Sequence, residues 1–314
     1  MTPSIDRIPL LIDTDPGVDD ALALLMAFDD PSHEVVGLTI AAGNVGLDQT
    51  VANALKLCEV AGIDVPVFPG ADRPLLHPAE DAGYVHGRDG FGDTGYAPAA
   101  RSADDEHAAL AILRLSHAHA GRLLLVALGP LTNLALALRL DPTLPQRIAR
   151  VVVMGGAVTG RGNVTALAEF NIAFDPEAAH IVFGAFARVE VADWEAVVAH
   201  GLLHTDVEAW LAADSPRARF YASISGHTRR WSADRRGERW FAADALAMAL
   251  ALDPGGALEM ADRPLQVETG HGLARGMTVV DWNRRGGGAD NAAILLAYDQ
   301  ARFEARLRRA LAAG

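Results

Sequence analysis

Short β-rich runs alternate with Ala- and Leu-rich stretches over the first half of the chain, and this alternation most restricts what it can fold into. PLLIDTD is followed by VDDALALLMAF and HEVVGLTIAAGN by QTVANALKLCEVAG; after VPVFPG come HAALAILRLSHAHA, RLLLVALGP, TNLALALRL and ARVVVMGGA. This is the pattern of βαβ units, in which helices cover both faces of parallel strands. An α/β fold is expected, with a Rossmann-like, mostly parallel central sheet. Ligands of such sheets sit beyond the carboxyl ends of the strands. Asp13 and Asp15, Gly43-Asn44, Leu128-Gly129-Pro130 and Met154-Gly155-Gly156 fall at such ends, so four segments distant in sequence should meet in one crevice. From about Pro176 onward the chain is more helical, with no internal repeat, low-complexity tract or obvious linker. Residues 1–314 therefore read as a single domain with a helical C-terminal elaboration, closed by the amphipathic FEARLRRALAAG.

The 314 residues are 50% hydrophobic, enough for a large core. A formal net charge of −13 argues against nucleic acid or an anionic membrane as partner, because either would be repelled by the average field. A neutral or cationic small molecule suits this balance better. The N-terminal MTPSIDRIPLLIDTD shows neither a basic n-region nor an extended apolar h-region, and no segment reaches transmembrane length without charges. Cys58 is the only cysteine, which excludes an intramolecular disulfide and a multi-cysteine metal site. A cytoplasmic protein is expected.

Within residues 10 to 28, Asp13, Asp15, Asp19 and Asp20 crowd into eight positions around the Pro16-Gly17 turn. Like charges at that density repel, and a bound cation is the simplest remedy; an all-oxygen ligand set favours Ca²⁺ or Mg²⁺ over zinc. Asp13 and Asp15, two apart on an extended strand end, start on the same face, and Asp19 and Asp20 open the following helix, where the dipole favours carboxylates. Taken alone, Asp19 and Asp20 could simply cap that helix. An Asp-x-Asp pair after an apolar strand also resembles the nucleophile motif of haloacid-dehalogenase-type phosphatases, with Asp13 as nucleophile. There a Thr or Val usually follows the second Asp, whereas Pro16-Gly17 follows here, and Asp19-Asp20 has no role in that scheme.

DTDPGVDDALAL resembles the N-terminal signature of the nucleoside hydrolases, the inosine–uridine-preferring family of calcium-dependent N-ribohydrolases. The resemblance runs through AAGN at 41 to 44, HG at 86 to 87, LGPLTN at 128 to 133, VVVMGGA at 151 to 157, GNVTALAEFNIAFDPEAA at 162 to 179 and GMTVVDW at 276 to 282. It implies hydrolysis of the N-glycosidic bond of a ribonucleoside to ribose and a free purine or pyrimidine base. It further implies that Asp15, Asp20, Asp244 and the main-chain carbonyl of Leu128 ligate Ca²⁺, with Asp15 also the general base. Asp19 and Asn44 would bind the ribose diol, and Asp13 would support the cluster from behind. Asn163, Glu169 and Asn171 match the family's ribose and 5′-hydroxyl ligands, and Met154 would lie under the sugar. Without the flanking motif, Asn163 reads as a turn residue and Met154 equally well as core. Relatives resembling this chain are usually dimers or tetramers, so a homodimer or homotetramer is expected.

The resemblance breaks at Ala243, where inosine–uridine enzymes carry a His thought to protonate the departing base. Three residues could compensate. His227 and Trp231, at i and i+4 in HTRRWSADRRGERW, share a helix face, and a tryptophan can stack on a purine; His86 matches a family His near the base pocket. Alternatively, His227 is a solvated helix residue and Trp231 ordinary packing. Arg229, Arg230, Arg235, Arg236 and Arg239 read as a solvated face or as a cavity mouth favouring an acidic substituent. A second hypothesis is thus a catalytically weak nucleoside- or ribose-binding protein that lost turnover with the leaving-group His.

Overall fold

The structure is a computed structural model and describes residues 7–313. In chain order the strands are β1 (Ile8–Thr14), β2 (His33–Ile40), β3 (Val67–Pro69), β4 (Leu123–Ala127), β5 (Ile148–Met154), β6 (Val189–Ala192), β7 (Leu202–Leu203), β8 (Arg239–Trp240), β9 (Ala257–Arg263), β10 (Leu265–Val267), β11 (Thr278–Val280) and β12 (Ala292–Tyr298). Eight of them build the central sheet in the order β3-β2-β1-β4-β5-β6-β12-β9, while β7 with β8 and β10 with β11 form small ribbons. Neighbours in the sheet are parallel except β12 and β9, which pair antiparallel at one edge. The chain winds outward from β1 to β3 and then returns to place β4 on the other side of β1. That reversal is the switch point at which open α/β sheets form their ligand crevice.

The helices are α1 (Val18–Asp29), α2 (Leu47–Ala61), α3 (Gly83–His86), α4 (Ala108–Ala118), α5 (Thr132–Leu140), α6 (Phe170–Phe174), α7 (Pro176–Ala185), α8 (Trp194–Ala199), α9 (His204–Leu211), α10 (Pro216–Arg236), α11 (Ala243–Leu252) and α12 (Gln300–Ala312). Side chains alternate across each central strand: Leu10, Ile12, Leu124, Val126 and Val152 join one apolar cluster, and Leu11, Leu125, Val151 and Val153 the other. The first cluster lies beneath α1, α2, α10, α11 and α12, the second beneath α4, α5 and α7. Both faces are therefore covered, as the near-continuous apolar strands require.

One helix is apolar all round. ADALAMALAL of α11 is buried along all ten residues and packs against α1 and β5. Its leucines contribute about 2 kcal/mol each on burial, which holds the helix rigidly in place. Its only acid, Asp244, sits in the first turn. Packing α11 on α1 thus brings two helix N-termini, and their carboxylates, to one end of the sheet.

Candidate active site

β1 ends at Thr14, the chain turns through Pro16 and Gly17, and α1 starts at Val18. Asp20 reaches back to accept the Gly17 N–H at 2.9 Å and is also hydrogen-bonded by Thr14, so it does cap α1. The cap does not exhaust it, because Asn44 Nδ2 donates to the same Oδ2 at 2.9 Å. Asp15 is 1% exposed and accepts the Asn44 backbone N–H at 2.7 Å, while its carbonyl accepts from Asn44 Nδ2 at 3.1 Å. Asn44 ties the two acids to the end of β2.

One carboxylate oxygen from each of Asp19, Asp20 and Asp244 can be chosen so that all three lie within 4.8 Å of one another. Two unit charges at that separation repel by about 3.5 kcal/mol at an effective dielectric near 20, so three pairs rival the whole stability of a domain. Burial pushes Asp15 and Asp244 well above the usual carboxylate range, and the neighbouring acids push both further. Burial likewise raises Asp19 to about 6. Oxygen donors gathered this tightly, with Asp19 Oδ1 buried and lacking a hydrogen bond, fit a hard divalent cation. Asp15 stands beside this trio rather than in it, because its carboxylate is drawn to the Asn44 N–H. The Leu128 carbonyl accepts from Asn171 Nδ2 at 2.6 Å, which leaves it one lone pair.

Asp13 lies behind the cluster. Its Oδ1 accepts from Thr39 at 2.6 Å and Asn133 at 3.0 Å, and its carbonyl accepts the Leu128 N–H at 2.8 Å. Asp13 is fully buried and absent from the cavity wall; Asp15 and Asp20 are also buried and off that wall, but they adjoin Asp19 and Asp244, which line it, whereas Asp13 spends its Oδ1 on Thr39 and Asn133 behind them.

A cavity whose empty space, counted out into its open mouth, is about 750 Å³ extends from the acids. Asp19, Asn44, His86, Leu128, Met154, Asn163, Glu169, Asn171, Trp231 and Asp244 all line it. Asn171 donates to the Met154 carbonyl at 3.2 Å as well as to Leu128, bridging the ends of β4 and β5. Glu169 caps α6: its carboxylate accepts N–H groups of Gly156, Asn171 and Ile172 at 2.9 to 3.2 Å. Burial nevertheless raises it to about 7. Asn163 Oδ1 accepts the Phe170 N–H at 2.9 Å, so its amide NH₂ remains for a ligand.

The opposite wall comes from α3, α8, α10 and the segment before α11. His86 is 7% exposed, and its Nδ1 accepts the Val18 N–H at 3.2 Å, which assigns its proton to Nε2. Burial lowers it to about 4, with Arg236 and His227 acting in the same direction against Asp20, so it is neutral at physiological pH. On α10, Thr228, Trp231, Ser232 and Arg236 face the cavity, but His227 does not. Its Nε2 is buried without a hydrogen bond, and its Cβ packs toward Gly92. Arg236 lies over Trp194, Trp231 and Phe241, its guanidinium carbon 4.7, 4.9 and 5.5 Å from their ring centroids. Cation–π contacts of this kind are worth up to about 2 kcal/mol each when desolvated. Ala243 lines the same wall and offers no polar side chain.

The sequence profile described as "Inosine-uridine preferring nucleoside hydrolase" matches residues 10–305. The chain belongs to the nucleoside hydrolase family. It is 36% identical to the inosine-uridine preferring nucleoside hydrolase of Crithidia fasciculata over 279 residues, 87% of each chain. It is also 44% identical to uridine nucleosidase 1 of Arabidopsis thaliana over 184 residues, which are 58% of this chain and 55% of that protein. Among solved structures, the plant nucleoside hydrolase PpNRh1 superposes with a TM-score of 0.91 at 30% identity, covering 98% of this chain and 100% of that one. Enzymes of this family act on N-glycosyl compounds.

Within this nucleoside hydrolase fold, the sequence pointed to Trp231 on this wall, to Arg236 only as one of five arginines on a solvated face or cavity mouth, and to Thr228 and Ser232 not at all. Thr228, Trp231, Ser232 and Arg236 follow i, i+3, i+4, i+8, which places them on one helix stripe at about 100° per residue. His227 lies about 100° from Thr228, just outside the stripe. The periodicity was readable; the direction in which the stripe points was not.

Proposed function

We propose that this chain hydrolyses the N-glycosidic bond of ribonucleosides, releasing ribose and a free base, with Ca²⁺ as its metal. The observation that carries the reading is a two-ended cavity: acids and amides suited to a neutral polyol at the sheet, aromatic rings and a guanidinium at the far wall. Asp15, Asp20, Asp244 and the Leu128 carbonyl would hold the cation; Asp20 and Asp244 form one cluster with Asp19, and Asp15 would reach the ion from beside it. When bound, such an ion orients the sugar diol and eases removal of a proton from water. Asp15 takes that proton as the water oxygen attacks the anomeric carbon. Asp19, Asn44, Asn163, Glu169 and Asn171 grip the ribose hydroxyls, with Met154 beneath the ring. Positive charge grows on the sugar as the base departs, and the surrounding carboxylates stabilise it. A cytoplasmic homodimer or homotetramer, folded as one domain over 1–314, belongs to the same proposal.

The test is chromatography of products from a nucleoside panel. Base release should be abolished by EDTA and restored by Ca²⁺, and Asp15→Asn should fold normally yet lose about 10³-fold in kcat. Activity insensitive to chelation would sink the metal assignment. Tight nucleoside binding without base release would instead establish the binding-protein alternative.

A further inference from the structure

Ala243 leaves the base-facing wall without the imidazole that would protonate a leaving group there. The neighbouring hydroxyls are committed: Thr228 Oγ1 donates to the Val85 carbonyl at 2.9 Å and Ser232 Oγ to the Arg239 carbonyl at 3.4 Å. His86 accepts the Val18 N–H through Nδ1, which leaves it a single N–H donor at Nε2. Arg236 differs from all of these. Its guanidinium is packed among Trp194, Trp231 and Phe241, yet it makes no hydrogen bond or ion pair among the described residues. Aromatic faces balance its charge without using its N–H groups, so a five-donor fork remains for whatever enters the cavity. Arg236 lines the same cavity as Asp19 and Asp244, so its fork and the acids face one ligand space.

We infer that Arg236 is the residue that activates the departing base, by donating hydrogen bonds to acceptor atoms on the base edge as the glycosidic bond breaks. This rests on the hydrolase reading above. The bond from the anomeric carbon to nitrogen breaks with its electron pair passing to the base. The water oxygen bonds to that carbon, and the water proton goes to Asp15. The base leaves as an anion held by the guanidinium and takes a proton from solvent, while Asp15 returns its own to solvent. The net change is nucleoside plus water to ribose plus neutral base. Arg236 keeps its proton throughout, because a guanidinium does not titrate in this range. Stabilisation of developing negative charge by a fixed, desolvated donor is thus the contribution.

The experiment compares two substrates of the whole protein with Ca²⁺ present: inosine or uridine, whose bases need help to leave, and 4-nitrophenyl β-ribofuranoside, whose nitrophenolate leaves unaided. Arg236→Met preserves length and packing among the rings. It should lower kcat on the nucleoside about 10²-fold, with KM within a few-fold, and change nitrophenyl riboside cleavage less than threefold. Arg236→Lys, which keeps the charge but not the fork, should fall between. Equal losses on both substrates would mean that Arg236 only shapes the cavity, and an unchanged nucleoside rate would mean that it does nothing; either overturns the inference. A defect confined to KM for nucleoside 5′-monophosphates would reassign Arg236 to an anionic substituent and overturn it too. If the unmutated protein cleaves neither substrate, the hydrolase reading fails first and takes this inference with it.

Discussion

The Asp15 carboxylate lies between two glycines. A methyl group at Gly43 would overlap its Oδ2 and one at Gly129 its Oδ1, so neither position tolerates a Cβ while the acid stays in place. Both glycines belong to strand-end segments, after β2 and β4, and their bare backbones let Asp15 sit deep at the switch point. Gly43→Ala should therefore push the carboxylate aside by an amount of order 1 Å. A displacement of that size costs about 10²-fold in rate. Steady-state kinetics should show it in kcat, calcium titration should show weaker binding, and the melting temperature should move little. Unchanged turnover would show that the position of the Asp15 carboxylate is uncritical. Charge density alone pointed to a cation at the four acids near the start of the chain, and two of them, Asp19 and Asp20, join Asp244 in a group that could hold one. That Asp13 serves from behind, with Thr39 and Asn133 on one oxygen, matches its expected supporting place but could be seen only in the folded arrangement.

At the scale of elements, α12 closes the molecule by an ion pair to the end of α1. Arg306 lies 2.8 Å from Asp30, which also accepts the Ser32 N–H at 2.9 Å and sits 2.9 Å from His33 Nδ1. Burial pushes the Asp30 carboxyl up, but the hydrogen bonds from His33, Arg306 and Ser32 together outweigh it and hold the acid well below the usual range. A depressed acid stabilises the fold fully above its unfolded pKa, about 4, and that contribution is lost as pH falls from there toward the folded value. Asp30→Asn leaves Arg306 with only its longer contact to Asp253 at 3.6 Å and should cost about 2 kcal/mol at pH 7 by urea unfolding. The gap from the unmutated protein should narrow below pH 4; a gap unchanged down to pH 2.5 would refute the assignment. The helices themselves were legible from their apolar spacing, α12 as an amphipathic closing helix and α10 from its basic and aromatic stretch. Which face of α10 looks inward was not, because the shared face of His227 and Trp231 fits the spacing as well as the stripe that the fold selects.

For the whole molecule, the dominant electrostatic fact is acid buried at one end of the sheet. Burial raises Asp13 to about 6, Glu169 to about 7 and Asp193, next to Glu195, to about 7. An acid with a raised folded pKa binds more protons folded than unfolded between about pH 4 and that value. Stability of the metal-free protein should therefore decline as pH rises through this window and stay low above it. Scanning calorimetry of chelated protein from pH 5 to 8 should show a falling midpoint. Ca²⁺ added at a hundredfold excess over its Kd at pH 8 should raise stability there by about 2.7 kcal/mol, and the same concentration should raise it less at pH 5, where the acids are protonated. Equal shifts at pH 5 and pH 8 would count against a cation held by the carboxylate cluster.

The alternation of strands and helices, the two apolar faces and the carboxylates at the end of β1 follow from local chemistry: residue period, turn residues and helix dipoles act over a few positions and can be read directly from the chain. The placement of Asp244 against Asp19 and Asp20, and of Arg236 rather than His227 in the cavity, depends on how α11 and α10 dock on α1 and on the strand ends. Docking is set by close packing of side chains contributed from across the whole chain, and no local pattern encodes it.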